Sequence, residues 1–177
     1  MGRLEGFAGM TTVDRFRAAM DELPLVAILR GLKPDEAPAI GDVLVEAGFR
    51  LIEVPLNSPQ PLESIELLRK RFPDVTIGAG TVLTEAEVRD VASAGGELIV
   101  APNFDRNVVV ETVRLGLASL PGIMTPTEAF AALNLSTVVI PAKPSSRPMS
   151  PRHRRCARGQ LWSTMREHSA RSAPRRQ

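Results

Sequence analysis

The chain has 177 residues, 44% of them hydrophobic, which is enough for one domain with an apolar core. Its single cysteine, Cys156, excludes a disulfide framework or a cysteine-based zinc site. The net charge of +2 is uneven, because residues 147–177 carry nine arginines and one acidic residue, whereas the rest carries 13 basic and 19 acidic residues. No N-terminal signal-like stretch and no apolar run near 18 residues is present, so we expect a cytoplasmic protein without a membrane span.

After a leader (1–10) expected to be flexible, residues 11–133 alternate between helix-like and strand-like segments. The first helix has Thr12 as its predicted N-cap, and the fourth begins with a capping box formed by Thr84 and Glu87. The predicted helices cover residues 11–23, 34–48, 61–72, 84–96, 105–116 and 125–133, and the predicted strands cover 25–31, 49–56, 75–83, 97–103 and 117–122.

This pattern repeats a strand and a helix five times, about once every 20 to 25 residues. The strands are short and almost entirely apolar, as is typical of a parallel sheet covered by helices. Two α/β folds fit the pattern, a doubly wound open sheet and a (β/α)8 barrel. No GxGxxG motif follows the first strand, so a dinucleotide site is not expected.

Polar residues stand near the carboxyl ends of successive strands, at Arg30, Glu53, Asn57, Thr81 and Asn103. In a barrel these positions converge on one end, where barrel enzymes place their active sites. Glu53 lies within an apolar strand, so burial would raise its pKa and suit it to acid/base chemistry. The alternative is a carboxylate that simply pairs with an arginine such as Arg30. Arg30 could equally bind a carboxylate or phosphate, whereas Thr81 could belong to an ordinary tight turn after "GAG".

Metal binding has little support, because both histidines, His153 and His168, lie in the basic tail. Most acidic residues stand at helix starts, where the helix dipole and solvent explain them. We expect no metal and no cofactor.

Several ordered motifs together resemble the 2-keto-3-deoxy-6-phosphogluconate / 6-phosphogalactonate aldolases. The resemblance covers about residues 23–133, and "ILRG" and "EVPLNSP" are closer to the phosphogalactonate branch. It implies a homotrimeric (β/α)8 TIM barrel and a metal-free class I aldolase that releases pyruvate and glyceraldehyde 3-phosphate. The motifs that carry it are "LPLVAILRG", "AGFRLIEVPLNSPQP", "TIGAGTVLTEAEV", "GGELIVAPN" and "LPGIMTPTEAFAAL".

The resemblance also implies roles for individual residues. Glu53 matches the proton donor and acceptor, and Arg30 matches the residue that holds the pyruvoyl carboxylate. Thr81 matches a substrate-contacting threonine, and Pro102 would line the site. The family's lysine, which forms an imine with the keto carbon, belongs to a K-x-F-P motif.

That motif is absent from this chain. It is expected about 14 residues after the position of Thr127, where the sequence has Pro141. Lys143 stands two residues later, between Pro141 and Pro144, and is a weak candidate for the missing amine. We therefore expect impaired cleavage, or an inactive relative that at most binds sugar acids.

Residues 134–177 break from the body in composition, being rich in arginine, proline and serine without helix or strand periodicity. We expect an incomplete barrel of about five to six βα units followed by an irregular basic tail. Three interpretations of this tail remain open: Lys143 replaces the family's lysine, the arginines bind nucleic acid, or the reading frame changes near residue 134. Specific nucleic-acid binding is not expected, because only Trp162 could stack on a base.

Overall fold

A computed structural model describes residues 10–135, in which six helices alternate with five strands. The helices are α1 (Thr12–Glu22), α2 (Ala37–Glu46), α3 (Pro61–Arg71), α4 (Glu85–Ser93), α5 (Arg106–Arg114) and α6 (Pro126–Leu133). The strands are β1 (Ala27–Ile28), β2 (Leu51–Pro55), β3 (Thr76–Gly80), β4 (Leu98–Ala101) and β5 (Ala118–Pro121).

The five strands form one parallel sheet in the order β1-β2-β3-β4-β5. Each strand therefore pairs with the next one along the chain, and a helix makes every crossover. A doubly wound sheet would instead reverse its strand order at a switch point. The observed order is that of a (β/α) barrel, which confirms the predicted fold class for the part of the chain that the structure describes.

One face of the sheet carries the larger core, where α2 to α5 pack against buried aliphatic side chains of the strands. Ile52 and Val54 of β2 and Ile77 of β3 are fully buried on this face. Parallel strands covered by helices need such continuous apolar runs, because neither face can remain solvated.

The opposite face, which we call the inner face, is closed at its amino end by α1. Phe16 and Ala19 of α1 pack against Leu51, Leu98 and Ala118, which are the first residues of β2, β4 and β5. Because side chains alternate along a strand, Glu53 lies on the same face as Leu51, further toward the carboxyl end. The helix therefore closes one end of the inner face and leaves the other end for a site.

Two local predictions have different outcomes. The N-cap of α1 is Thr11, whose hydroxyl accepts a hydrogen bond from the Asp14 N–H at 3.2 Å, so the prediction of Thr12 is wrong. The physical reason is that Thr11 has the extended backbone an N-cap requires, whereas Thr12 is already helical. The capping box of Thr84 and Glu87 is confirmed, with both reciprocal hydrogen bonds present.

Most helices and strands are shorter than predicted, and the differences are clear at β1 and α2. β1 contains only Ala27 and Ile28, and α2 begins at Ala37, because residues 34–36 form a turn. The proposed limits of the leader and the tail fall at or beyond the ends of the described residues and stay predictions. No helix within residues 10–135 is long and apolar enough to cross a bilayer.

Candidate active site

Glu53 is a charged residue inside the sheet, with only 6% of its surface exposed. It is the third residue of β2 and pairs with Ile28 of β1 and Gly78 of β3. Pairing with both neighbouring strands fixes its backbone, and its carbonyl accepts a hydrogen bond from the Leu29 N–H at 2.8 Å. Glu53 is therefore held on a rigid element, as an acid/base group requires.

Gly80, the last residue of β3, makes room for the Glu53 carboxylate. A Cβ atom at position 80 would lie 1.8 Å from Glu53 Oε1 and 2.3 Å from its Cδ. No side chain fits there, so the carboxylate lies directly against the backbone of β3. The sequence suggested an ordinary tight turn after "GAG", whereas in the structure the last of these glycines accommodates the protein's own carboxylate.

Arg30 follows β1 and supplies a positive charge near Glu53. Its guanidinium is close enough to lower the pKa of the Glu53 carboxyl, yet no ion pair of 4.0 Å or less joins the two among the described residues. The side chain of Arg30 is exposed. The interpretation of Glu53 and Arg30 as a simple ion pair therefore does not fit this geometry, which leaves the guanidinium open to a second anion.

Burial raises the pKa of the Glu53 carboxyl above its ordinary value of 4.5, and the positive charge of Arg30 opposes this with a smaller effect. A raised pKa lies closer to neutral pH, where one carboxyl group can act both as an acid and as a base. The environment of Glu53 thus favours acid/base chemistry, in agreement with the prediction from its apolar strand.

We expect Glu53→Gln to increase the free energy of unfolding at pH 8 but not at pH 4. The pKa of Glu53 is higher in the folded protein than its ordinary value of 4.5. The protonated carboxyl therefore stabilises the fold fully below pH 4.5, and this stabilisation is lost as the pH rises through the pKa of the folded protein. Glutamine resembles the protonated form at every pH. Urea unfolding of both proteins at the two pH values measures the difference. Glu46→Gln, at an exposed glutamate of α2, is the control, and an equal pH response in both variants would contradict the prediction.

Thr81 directly follows Gly80 and adopts a left-handed backbone with φ of 61°. For a β-branched residue this conformation costs on the order of 1–2 kcal/mol, and such strain concentrates at functional sites. The turn places Thr81 at the carboxyl end of β3, next to the strand that carries Glu53. Its predicted contact with substrate stays a prediction.

Pro102 follows β4 and lies beside the end of β5. A Cβ atom at Gly122 would lie 2.2 Å from the carbonyl oxygen of Pro102, so the segments after these two strands are in close contact. Pro102 itself is exposed. Arg30, Thr81 and Pro102 therefore follow the carboxyl ends of β1, β3 and β4, and Glu53 lies within β2, so the four residues belong to successive strands. The sequence placed Arg30, Glu53 and Thr81 in this way, whereas Pro102 was expected from the family resemblance.

The two lysines among the described residues are both exposed and lie outside the strands. Lys70 pairs with Glu66 at 2.6 Å on the exposed surface of α3, and Lys33 lies in the exposed segment before α2. Lys143 lies outside the described residues. Among residues 10–135 no group of three His, Cys, Asp or Glu side chains could hold a metal ion.

Sequence reasoning missed Ser58, which lies in the loop after β2. Its hydroxyl accepts a hydrogen bond from the Gly31 N–H at 3.1 Å and is nearly inaccessible to solvent. The only signal was its place in the "PLNSP" motif, which does not reveal a partner 27 residues away.

The sheet order defines a (β/α)-barrel protein, and its inner face holds a buried carboxylate with an arginine nearby. The KDPG and KHG aldolase family model matches residues 16–146, about three quarters of the chain. The protein belongs to this family, whose members are aldolases. The match is wider than the motifs quoted above and includes Lys143.

Individual relatives agree with the family match. A probable 2-dehydro-3-deoxy-6-phosphogalactonate aldolase from Rhizobium meliloti (strain 1021) is 50% identical over 68% of this chain and 57% of its own length. A native KDPGal structure is 45% identical, with a TM-score of 0.64 over 66% of this chain and 57% of its own. KDPG aldolase from Legionella pneumophila, solved with pyruvate captured as a covalent carbinolamine, is 27% identical, with a TM-score of 0.62 over 67% and 57% of the two chains. The chain thus spans less than two thirds of the length of these relatives.

Proposed function

We propose that this chain acts on 2-keto-3-deoxy-6-phosphogalactonate, or its gluconate epimer, as an impaired class I aldolase that releases pyruvate and glyceraldehyde 3-phosphate. The observation that carries the proposal is the buried Glu53 carboxylate beside the open guanidinium of Arg30. The galactonate form is favoured because the more similar relatives are named for it.

In this proposal Arg30 binds the carboxylate of the 2-keto acid, since a guanidinium fork matches a carboxylate in geometry and charge. A lysine amine attacks the keto carbon, and loss of water gives an iminium ion. Glu53 then takes the proton of the C4 hydroxyl while the C3–C4 bond breaks. The electron pair of that bond moves into the iminium to form an enamine, and glyceraldehyde 3-phosphate leaves.

Glu53, now protonated, returns its proton to C3 of the enamine. Water hydrolyses the resulting imine, which releases pyruvate and restores the amine. One carboxyl group thus serves first as base and then as acid, and its raised pKa suits it to both steps. Thr81 and Pro102 would contact the substrate at the carboxyl ends of β3 and β4.

The proposed impairment follows from the lysines. The chain contains only Lys33, Lys70 and Lys143. Lys143 would have to supply the amine from a position two residues beyond the expected one. A displacement of even 1 Å can cost about 100-fold in rate.

Borohydride trapping with pyruvate tests the proposal. We expect slow formation of a reduced adduct on Lys143, identified by mass spectrometry and abolished in Lys143→Ala but not in Lys70→Ala. Trapping measures imine formation directly, so the readout does not depend on turnover of the sugar substrate. Absence of any lysine adduct would contradict the aldolase proposal for this chain.

A second candidate is a relative that binds sugar acids without cleaving them. It is favoured because, among the described residues, no lysine has a resolved effect on the pKa of Glu53. Pyruvate binding detected by NMR, without a trapped adduct, would support it, and no binding at all would contradict both candidates. The homotrimer, the cytoplasmic location and the lack of specific nucleic-acid binding stay predictions.

A further inference from the structure

Arg30 has no side-chain partner among residues 10–135 that would hold it beside Glu53. The strand before it contains only two residues, and its guanidinium makes no hydrogen bond to another described residue. The position of Arg30 therefore depends on the backbone turn in which it lies. In that turn the Leu32 N–H donates to the Leu29 carbonyl, and Gly31 has a φ of 76°.

One hydrogen bond connects this turn to the loop after β2. The Gly31 N–H donates to Ser58 Oγ at 3.1 Å, across 27 residues of sequence. The bond is part-buried, because Ser58 has only 7% of its surface exposed whereas Gly31 is exposed. A typical intramolecular hydrogen bond contributes about 0.5–1.5 kcal/mol, so this bond favours one position of the turn relative to Ser58.

Ser58 is in turn fixed to the strand that carries Glu53. Its own N–H donates to the carbonyl of Pro55 at 2.9 Å, and Pro55 is the last residue of β2. A short path of backbone and hydroxyl contacts therefore runs from the Glu53 strand through Ser58 to the residue after Arg30.

We propose that Ser58 is a positioning residue that fixes the turn containing Arg30 relative to β2, the strand that carries Glu53. The guanidinium and the carboxylate then face the same 2-keto acid. This inference rests on the proposed function, since it assigns Ser58 a part in the same site. It predicts that losing the hydroxyl moves Arg30 without touching the ligand directly.

The test compares Ser58→Ala with Ser64→Ala in the full chain, using pyruvate as the probe. Ser64 is fully buried on α3, and its hydroxyl has no hydrogen-bond partner, so it is a matched control for loss of a buried hydroxyl. We expect Ser58→Ala to weaken pyruvate binding about tenfold in an NMR titration and Ser64→Ala to leave it unchanged. Ser58→Thr, which keeps the hydroxyl, should retain binding.

A second readout separates positioning from general loss of stability. Since the positive charge of Arg30 lowers the pKa of Glu53, we expect the Glu53 pKa, measured by carbon-13 NMR, to rise in Ser58→Ala and not in Ser64→Ala. Among the described residues, Arg30 is the charged group whose effect on this pKa is resolved.

The outcomes distinguish the two proposals. If the unaltered chain does not bind pyruvate, the proposed function fails, while the Glu53 titration still decides the role of Ser58. If the unaltered chain binds pyruvate and Ser58→Ala shows the same affinity and the same Glu53 pKa, the inference about Ser58 is wrong. If Ser58→Ala does not fold, Ser58→Thr tests the inference instead. This variant keeps the hydroxyl, so loss of pyruvate binding in folded Ser58→Thr would show that the inference is wrong.

Discussion

Replacing Arg30 by alanine is expected to weaken pyruvate binding by about 30-fold or more. The guanidinium is exposed, unpaired with Glu53 and placed at the carboxyl ends of the strands, so it is free to hold the ligand's carboxylate. A hydrogen bond to a charged group contributes about 1.5–3 kcal/mol, a range that includes this loss of about 30-fold. An NMR titration with pyruvate, monitored on the labelled ligand, measures the effect.

Two further variants make the Arg30 experiment specific. Arg30→Lys keeps the positive charge but loses the planar guanidinium, whose paired N–H donors match a carboxylate. We therefore expect an intermediate loss of pyruvate affinity of about tenfold. Arg17→Ala removes an exposed arginine from α1, the helix that packs at the amino end of the sheet, and should leave binding unchanged. Equal affinities of Arg30→Ala and the unaltered chain would contradict the role of Arg30.

Replacing Gly80 by alanine is expected to lower the free energy of unfolding by about 1–3 kcal/mol, as overpacking of a buried site does. The added methyl group would lie 1.8 Å from Glu53 Oε1, so the carboxylate has to leave its position. Gly80 is not in the left-handed region, so backbone strain adds nothing to this cost. Urea unfolding measures the stability, and we also expect pyruvate binding to weaken because Glu53 is displaced.

A double-mutant cycle identifies the cause of the Gly80 effect. The three atoms that a Cβ at position 80 would meet are Oε1, Cδ and Cγ of Glu53, and Glu53→Ala removes all three. In the Glu53→Ala background, Gly80→Ala should therefore cost much less than in the unaltered chain. Equal costs in both backgrounds would show that the glycine is needed for another reason.

The importance of the Gly80 position was only partly visible in the sequence. The "GAG" motif indicated an ordinary tight turn, although glycine also permits another group to approach the backbone closely. It did not indicate that the approaching group is Glu53, which is 27 residues earlier in the chain. The strand register, with Glu53 beside Gly78, is what brings the carboxylate to Gly80.

The role of Ser58 could not be inferred from the sequence at all. A serine in a loop after a strand is common, and its partner is a backbone N–H, which every residue except proline carries. The contact with Gly31 exists because β1 and β2 are neighbours and the segments after them lie side by side.

Sequence patterns were enough to predict the fold class and the burial of Glu53. Short apolar strands alternating with amphipathic helices predicted a parallel sheet, and a carboxylate inside such a strand predicted a raised pKa. These signals are local, because they depend on the period of apolar residues and on single polar exceptions to it. Tertiary structure alone decided how Glu53 and Arg30 are related. The charge of Arg30 acts on Glu53 without forming an ion pair, because strand pairing and the turn after β1 fix their separation.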